Sequence, residues 1–188
     1  MSSKRTLIGS SITPIRFVFF VWLVFVLEYS YQLPISHFGI LPREPIGLIG
    51  LITGPLIHAG PAHLISNTVP LLFLGITLYF YYPSIANKVF YSCYVITNLL
   101  VWLIARPSNH IGASGLIYGL ATFIIFFGLF RRDLKSLFLS AIVLIMYGYI
   151  FYGVLPNNPR VSWESHLMGA IVGLVMAWKY FDKKKVYV

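Results

Sequence analysis

The sequence predicts an all-α polytopic membrane protein: a bundle of six transmembrane helices with both termini on the cytoplasmic side. Three observations predict it. Of 188 residues, 58% are apolar and only 10% charged, against about 25% charged in an ordinary soluble domain, and the mean hydropathy is +0.80. The apolar residues gather into six segments close to the length that crosses a bilayer. Of the 14 lysines and arginines, 11 fall on one side of the resulting topology, as expected of the cytoplasmic face.

In chain order the segments are Phe17–Leu33, Leu64–Tyr82, Val89–Ala105, Ser114–Phe130, Leu137–Leu155 and His166–Phe181. A helix rises about 1.5 Å per residue, so about 20 residues cross a 30 Å core. The fourth and sixth are short, which lets a helix begin below the membrane surface. The first follows Lys4, Arg5 and Arg16, and it is expected to stay in place. Glu28-Tyr29-Ser30-Tyr31 after its apolar run is a poor signal-peptide cleavage site. Ile46–Ile57 is also apolar but holds Gly47, Gly50, Gly54 and Pro55, and it reads as a loop in the interface. Lys88 lies between the second and third segments, and Arg131, Arg132 and Lys135 between the fourth and fifth. Lys179, Lys183, Lys184 and Lys185 close the chain. Only Arg43, Arg106 and Arg160 face the other way.

This composition excludes a soluble globule, a disordered chain and a disulfide scaffold. The net charge of +9 is explained by basic residues flanking spans, where they meet anionic headgroups, so no nucleic-acid partner is expected. The lone Cys93 has no partner for an intramolecular disulfide, and no cysteine cluster offers a metal site. Without repeats or long linkers, the chain is expected to form one membrane domain over residues 1–188.

Polar groups at membrane depth are costly and are functional candidates. Segments two, four and six run in the same direction, so their first residues share the outer face. Segment two opens with His63 and Asn67, segment four with Gly112-Ala113-Ser114-Gly115, and segment six with Ser165-His166. Ser114 is a candidate nucleophile, and equally a small serine at a helix contact. His166 is a candidate base that would take the serine proton, or else a histidine bridging two helices. Gly115 and Gly119 on one segment, and Gly169 and Gly173 on the other, are pairs four apart that allow close packing. Such packing brings Ser114 and His166 within reach. Tyr118, one turn below Ser114, can pack on the imidazole or simply fill the core.

His63 and Asn67 lie on one helix face and can donate to an oxyanion together with the Ser114 N–H, or they form a polar pair that stabilises their own helix. His58 is expected to hydrogen-bond structurally. No Asp or Glu completes a triad by position. Glu28, Glu44 and Glu164 have no assigned role.

These residues resemble those of the rhomboid intramembrane serine proteases. Gly112-Ala113-Ser114-Gly115 matches the family's G-x-S-G sequence opening helix four. Ser165-His166-Leu167-Met168-Gly169 matches the histidine opening helix six. His63-Leu64-Ile65-Ser66-Asn67 matches the His-x-x-x-Asn pattern of helix two, and Tyr118 the tyrosine four residues after the serine. The resemblance covers roughly residues 51–180. It implies a Ser–His dyad, no cofactor or metal, transmembrane proteins as substrates, and the lipid bilayer as surroundings. It also implies a bacterial cytoplasmic membrane with the active site toward the extracytoplasmic side. Many rhomboids carry a Trp-Arg pair in the first loop, where this chain has Pro42-Arg43-Glu44.

The resemblance further implies that substrates unwind near the outer face and enter past span five, with Tyr147, Tyr149, Phe151 and Tyr152. The polar run Arg106-Pro107-Ser108-Asn109-His110 before Ser114 can line a hydrated pocket. Three other classes of protein compete with this one. All five histidines, His37, His58, His63, His110 and His166, fall on the outer side and could suggest zinc, but no His-Glu-x-x-His occurs. A catalytically silent rhomboid-like binding factor is the alternative within the family, and the presence of both Ser114 and His166 argues against it. A transporter is the third, but beyond Glu28 the core of the spans holds too few charged residues for an ion path.

Overall fold

The computed structural model describes residues 6–156, 158–159 and 161–183. Lys4, Arg5, Arg160, Lys184 and Lys185, used above to set the orientation, lie outside the described residues. Among the described residues the chain is helical with no strand. One isolated bridge pairs Ile40 with His110. The longer helices are α1 (Leu7–Tyr31), α2 (Pro61–Tyr81), α3 (Pro83–Ile104), α4 (Ser114–Arg131), α5 (Leu134–Tyr147) and α6 (Trp163–Tyr180).

By length and composition α1, α2, α3 and α4 can each cross a membrane. The helix α5 has 14 residues. It stops at Tyr147, earlier than its apolar segment, and Gly148–Val154 continue as a 3-10 helix. Two glycines in that stretch, Gly148 and Gly153, weaken the α conformation where other residues would extend it. The helix α6 has 18 residues but carries Glu164, His166 and Lys179, which lower its apolarity. At the other end of the chain, α1 starts ten residues before its apolar segment because Thr6 caps it, accepting the Gly9 N–H at 3.1 Å.

The apolar stretch after α1 forms no long helix. It folds as 3-10 turns at Pro45–Leu48 and Gly54–Leu56 around one helical turn at Gly50–Thr53. A stripe on α3, with residues four apart, pins it down. Tyr94 Oη donates to Ile52 O, Asn98 Nδ2 to Leu51 O at 2.9 Å, and Trp102 Nε1 to Glu44 O at 2.9 Å. In return Arg43 Nη1 donates to the carbonyls of Leu103 and Ala105 at the end of α3, at 3.3 and 2.8 Å. The loop lacks its own tryptophan, and Trp102 of α3 supplies an indole bond to it instead.

The core is built around α4, which packs against α2, α3, α5 and α6 and has only a thin exposed margin. The α4–α6 contact is the tightest. A Cβ added at Gly169 would run into the carbonyl of Gly115, and one at Gly173 into the carbonyl of Gly119. The two four-spaced glycine pairs therefore face each other, and the backbones touch where side chains would hold them apart. Large apolar side chains such as Ile8, Phe19, Phe138, Ile145 and Trp178 point away from this core. Bilayer lipid is the solvent that suits them.

Candidate active site

The starts of α2, α4 and α6 meet at one end of the bundle around a cavity of about 650 Å³. Its walls include His63, Asn67, Ser114, Tyr118, Tyr147 and His166. Ser114 is the first residue of α4, and no side chain caps that helix. The first amides of an α-helix have no partner within it, so the Ser114 N–H is free to bind an oxygen with partial negative charge. Gly112 leads into the helix at φ +105°, a conformation that favours glycine. A Cβ there would also lie 2.6 Å from Cε1 of His63. Only a glycine lets α2 and α4 approach this closely.

His166 Nε2 lies 2.9 Å from Ser114 Oγ, and Nδ1 lies 2.8 Å from the carbonyl oxygen of Gly153. A carbonyl can only accept, so Nδ1 carries the proton and donates it. The neutral ring then presents its Nε2 lone pair to the serine, and Ser114 O–H donates to it. Tyr118 stacks on the other side of the ring, with centroids 4.0 Å apart and planes inclined by 8°. The imidazole is thus fixed in position, tilt and tautomer.

Both candidate oxyanion donors line the cavity. Asn67 is buried, and its Nδ2 donates to the carbonyl of His63 at 3.0 Å, which leaves the second amide N–H for another acceptor. His63 also faces His58, with ring centroids 4.8 Å apart. His58 lies in the turn before α2. Its Nδ1 is 3.4 Å from Leu56 O, while Nε2 is buried without a hydrogen-bond partner. Burial, with the His63 imidazole beside it, pushes the His58 pKa down to about 4 against the pull of the Leu56 bond.

The loop between α3 and α4 contributes more than polarity. His110 is buried there, and burial lowers its pKa below the ordinary histidine value. Its Nδ1 lies 2.6 Å from Ser162 Oγ at the N-cap of α6. Arg106 forms an ion pair with Glu164, Nε to Oε1 at 3.5 Å. Among the described residues no group of three His, Cys, Asp or Glu side chains could hold a metal ion. His37 lies in the short 3-10 turn after α1 and is not part of the cavity wall.

Four residues, Gly153, Glu164, Arg106 and Ser162, hold the site through contacts that the sequence does not announce. Gly153 acts through its backbone carbonyl, which no side-chain pattern announces. Glu164 and Arg106 are 58 positions apart, and Ser162 reads only as a helix cap before a histidine. The two-residue spacing from Glu164 to His166 hints at the carboxylate, and the polar run from Arg106 to His110 before Ser114 hints at the guanidinium.

The all-helical bundle thus joins a serine and a histidine in a cavity at its helix tips. A family model described as the Rhomboid domain matches residues 46–183, and the chain belongs to the rhomboid family of integral membrane proteins. An uncharacterized protein of Mycobacterium tuberculosis is 38% identical over 173 residues, covering 85% of this chain and 71% of the relative. An uncharacterized protein of Mycobacterium leprae is 33% identical over 183 residues, covering 93% and 72%. A Bacillus subtilis protein carrying the name "Putative rhomboid protease YdcA" is 27% identical over 139 residues, covering 72% and 68%.

Proposed function

We propose that this chain is an intramembrane serine endopeptidase that cuts peptide bonds in or near the transmembrane segments of other proteins. The observation that carries the proposal is the His166 Nε2 to Ser114 Oγ contact of 2.9 Å, with the tautomer set by Gly153. His166 takes the hydroxyl proton as Ser114 Oγ attacks the substrate carbonyl. The charge moves to the carbonyl oxygen, where the Ser114 N–H, Asn67 and His63 donate to it. His166 then passes its proton to the leaving amine. Water, deprotonated by the same imidazole, releases the acyl group from Ser114. The cavity accommodates this water, and the polar loop from Arg106 to His110 forms part of its wall.

The working arrangement is a single domain of six spans, with α5 and its 3-10 continuation as the fifth. Both termini are cytoplasmic, in a bacterial cytoplasmic membrane, and the cavity opens to the extracytoplasmic side. The partners are the lipid bilayer and transmembrane substrates. A peptide bond inside a helix is shielded, so substrates carry Gly, Ala or other helix-weakening residues near the outer face. They enter past α5. Its end is held by the Tyr147 ring 5.8 Å from Phe73 of α2, while Tyr149 and Tyr152 beyond it are exposed.

The test is cleavage of a reconstituted transmembrane substrate. Wild type should cut it, and Ser114→Ala and His166→Ala should each lose at least ~10³-fold while keeping the fold. Full turnover by either variant would remove the dyad.

A further inference from the structure

Glu164 lies two residues before His166 in the first turn of α6. It is 4% exposed, and neither carboxylate oxygen accepts a hydrogen bond. Its partner is the ion pair with Arg106. A buried carboxylate carries a desolvation cost that a single ion pair does not always repay, so its presence beside the candidate base calls for a role. The same guanidinium donates through Nη2 to Pro159 O at 2.9 Å and Val161 O at 2.8 Å. From the loop that leads into α4, Arg106 therefore holds three points of the segment that leads into α6.

A second link runs beside the first. His110 Nε2 lies 3.0 Å from Arg106 O, which can only accept, so Nε2 donates. In the neutral ring Nδ1 then accepts from Ser162 O–H at 2.6 Å, and Ser162 Oγ accepts from Ser165 O–H at 2.7 Å. The chain of donors is complete and points one way, from α6 to the loop. Both links bind the stretch before Ser114 to the stretch before His166.

We propose that Arg106 and Glu164 are a positioning pair, which locks the first turn of α6 onto the α3–α4 loop and so keeps His166 Nε2 in register with Ser114 Oγ. The proposal rests on the Ser–His reading above. Neither residue touches the reacting atoms. Misplacing a base by about 1 Å can cost on the order of 10²-fold in rate, so the pair acts on turnover and leaves substrate affinity alone. Arg106 also borders the cavity. Were it a substrate-binding group, its loss would raise KM instead.

The experiment uses the full chain in liposomes with a transmembrane substrate, comparing Glu164→Gln, Arg106→Ala, Arg106→Lys and the double variant Arg106→Ala/Glu164→Gln. The expected result is a kcat lower by about 10-fold for Glu164→Gln and up to about 100-fold for Arg106→Ala, with KM within about twofold of wild type. Arg106→Lys should do no better than Arg106→Ala, because one ammonium cannot serve three separated acceptors. The double variant should turn over faster than Arg106→Ala alone, since it leaves no unpaired buried carboxylate. A kcat within twofold of wild type for Glu164→Gln, a loss confined to KM, or losses that simply multiply in the double variant would overturn the proposal. If Arg106→Ala fails to fold, the isosteric Glu164→Gln decides alone. An active Ser114→Ala would remove the dyad and this proposal with it, a result distinct from active wild type with unaffected pair variants.

Discussion

The carbonyl oxygen of Gly153 lies 2.8 Å from Nδ1 of His166, on the side of the ring opposite the nitrogen that meets Ser114. A backbone carbonyl thus occupies the place where many serine hydrolases put a carboxylate. It selects the same tautomer but adds no full negative charge to stabilise an imidazolium. No Asp or Glu is needed at this position, which accounts for a sequence in which none could be placed there.

Gly153→Ala tests this arrangement. A Cβ at Gly153 would run into the Tyr118 hydroxyl and lie 3.3 Å from His166 Nδ1. Tyr118, which stacks on the imidazole, or the Gly153 backbone must shift, and either movement disturbs the His166 ring. Turnover should fall by about 10- to 100-fold with the helix content unchanged. Turnover equal to wild type would show that the carbonyl does not set the ring.

Asn67 offers one amide N–H beyond the bond it makes to His63 O. If that N–H meets the oxyanion, Asn67→Ala should reduce kcat by about 10–1000-fold, the usual worth of one such donor. Kinetics on the reconstituted substrate measure it. An unchanged kcat would assign Asn67 to holding α2 together.

The α4–α6 seam predicts a stability effect. Gly169→Val would drive a branched side chain into the Gly115 carbonyl. The helices must separate, at a cost of about 1–3 kcal/mol or more. The thermal midpoint in detergent should fall, and activity should fall with it because Ser114 and His166 ride on the two separated helices. A midpoint equal to wild type would contradict the packing described.

His58 gives the protein a pH dependence. In the unfolded chain it takes up a proton near pH 6.5, while in the folded chain burial delays this until about pH 4. Between these values the unfolded state binds more protons, so folded stability is complete above pH 6.5 and declines as pH falls toward 4. The loss is at most about 3 kcal/mol. His58→Asn should flatten the decline in the unfolding midpoint between pH 7 and pH 4.5. An equally steep decline in the variant would place its origin elsewhere.

Much of this molecule was legible in its sequence, because lipid imposes a simple rule on composition. The helical class followed from the long apolar runs. The start of α4 at Ser114 followed from Gly112-Ala113-Ser114-Gly115, and the glycine pairs on α4 and α6 announced the seam that joins Ser114 to His166. What escaped was held by backbone or by distant pairs. The end of α5 at Tyr147 was missed because Gly148–Val154 is as apolar as the helix before it, and hydropathy does not separate α from 3-10 geometry. The docking of the first loop was missed because Trp102 and Arg43 are far apart in the chain and bond to carbonyls, which every residue has. Glu164 has no role legible in the sequence because its partner Arg106 lies 58 positions away, on the loop before α4.

The most direct test of the central claim is labelling with a serine-directed fluorophosphonate in liposomes. Wild type should be labelled at Ser114, with the label lost in Ser114→Ala and strongly reduced in His166→Ala. Equal labelling of Ser114 in wild type and His166→Ala would show that the imidazole does not activate this serine, and absence of label in folded wild type would contradict the proteolytic reading altogether.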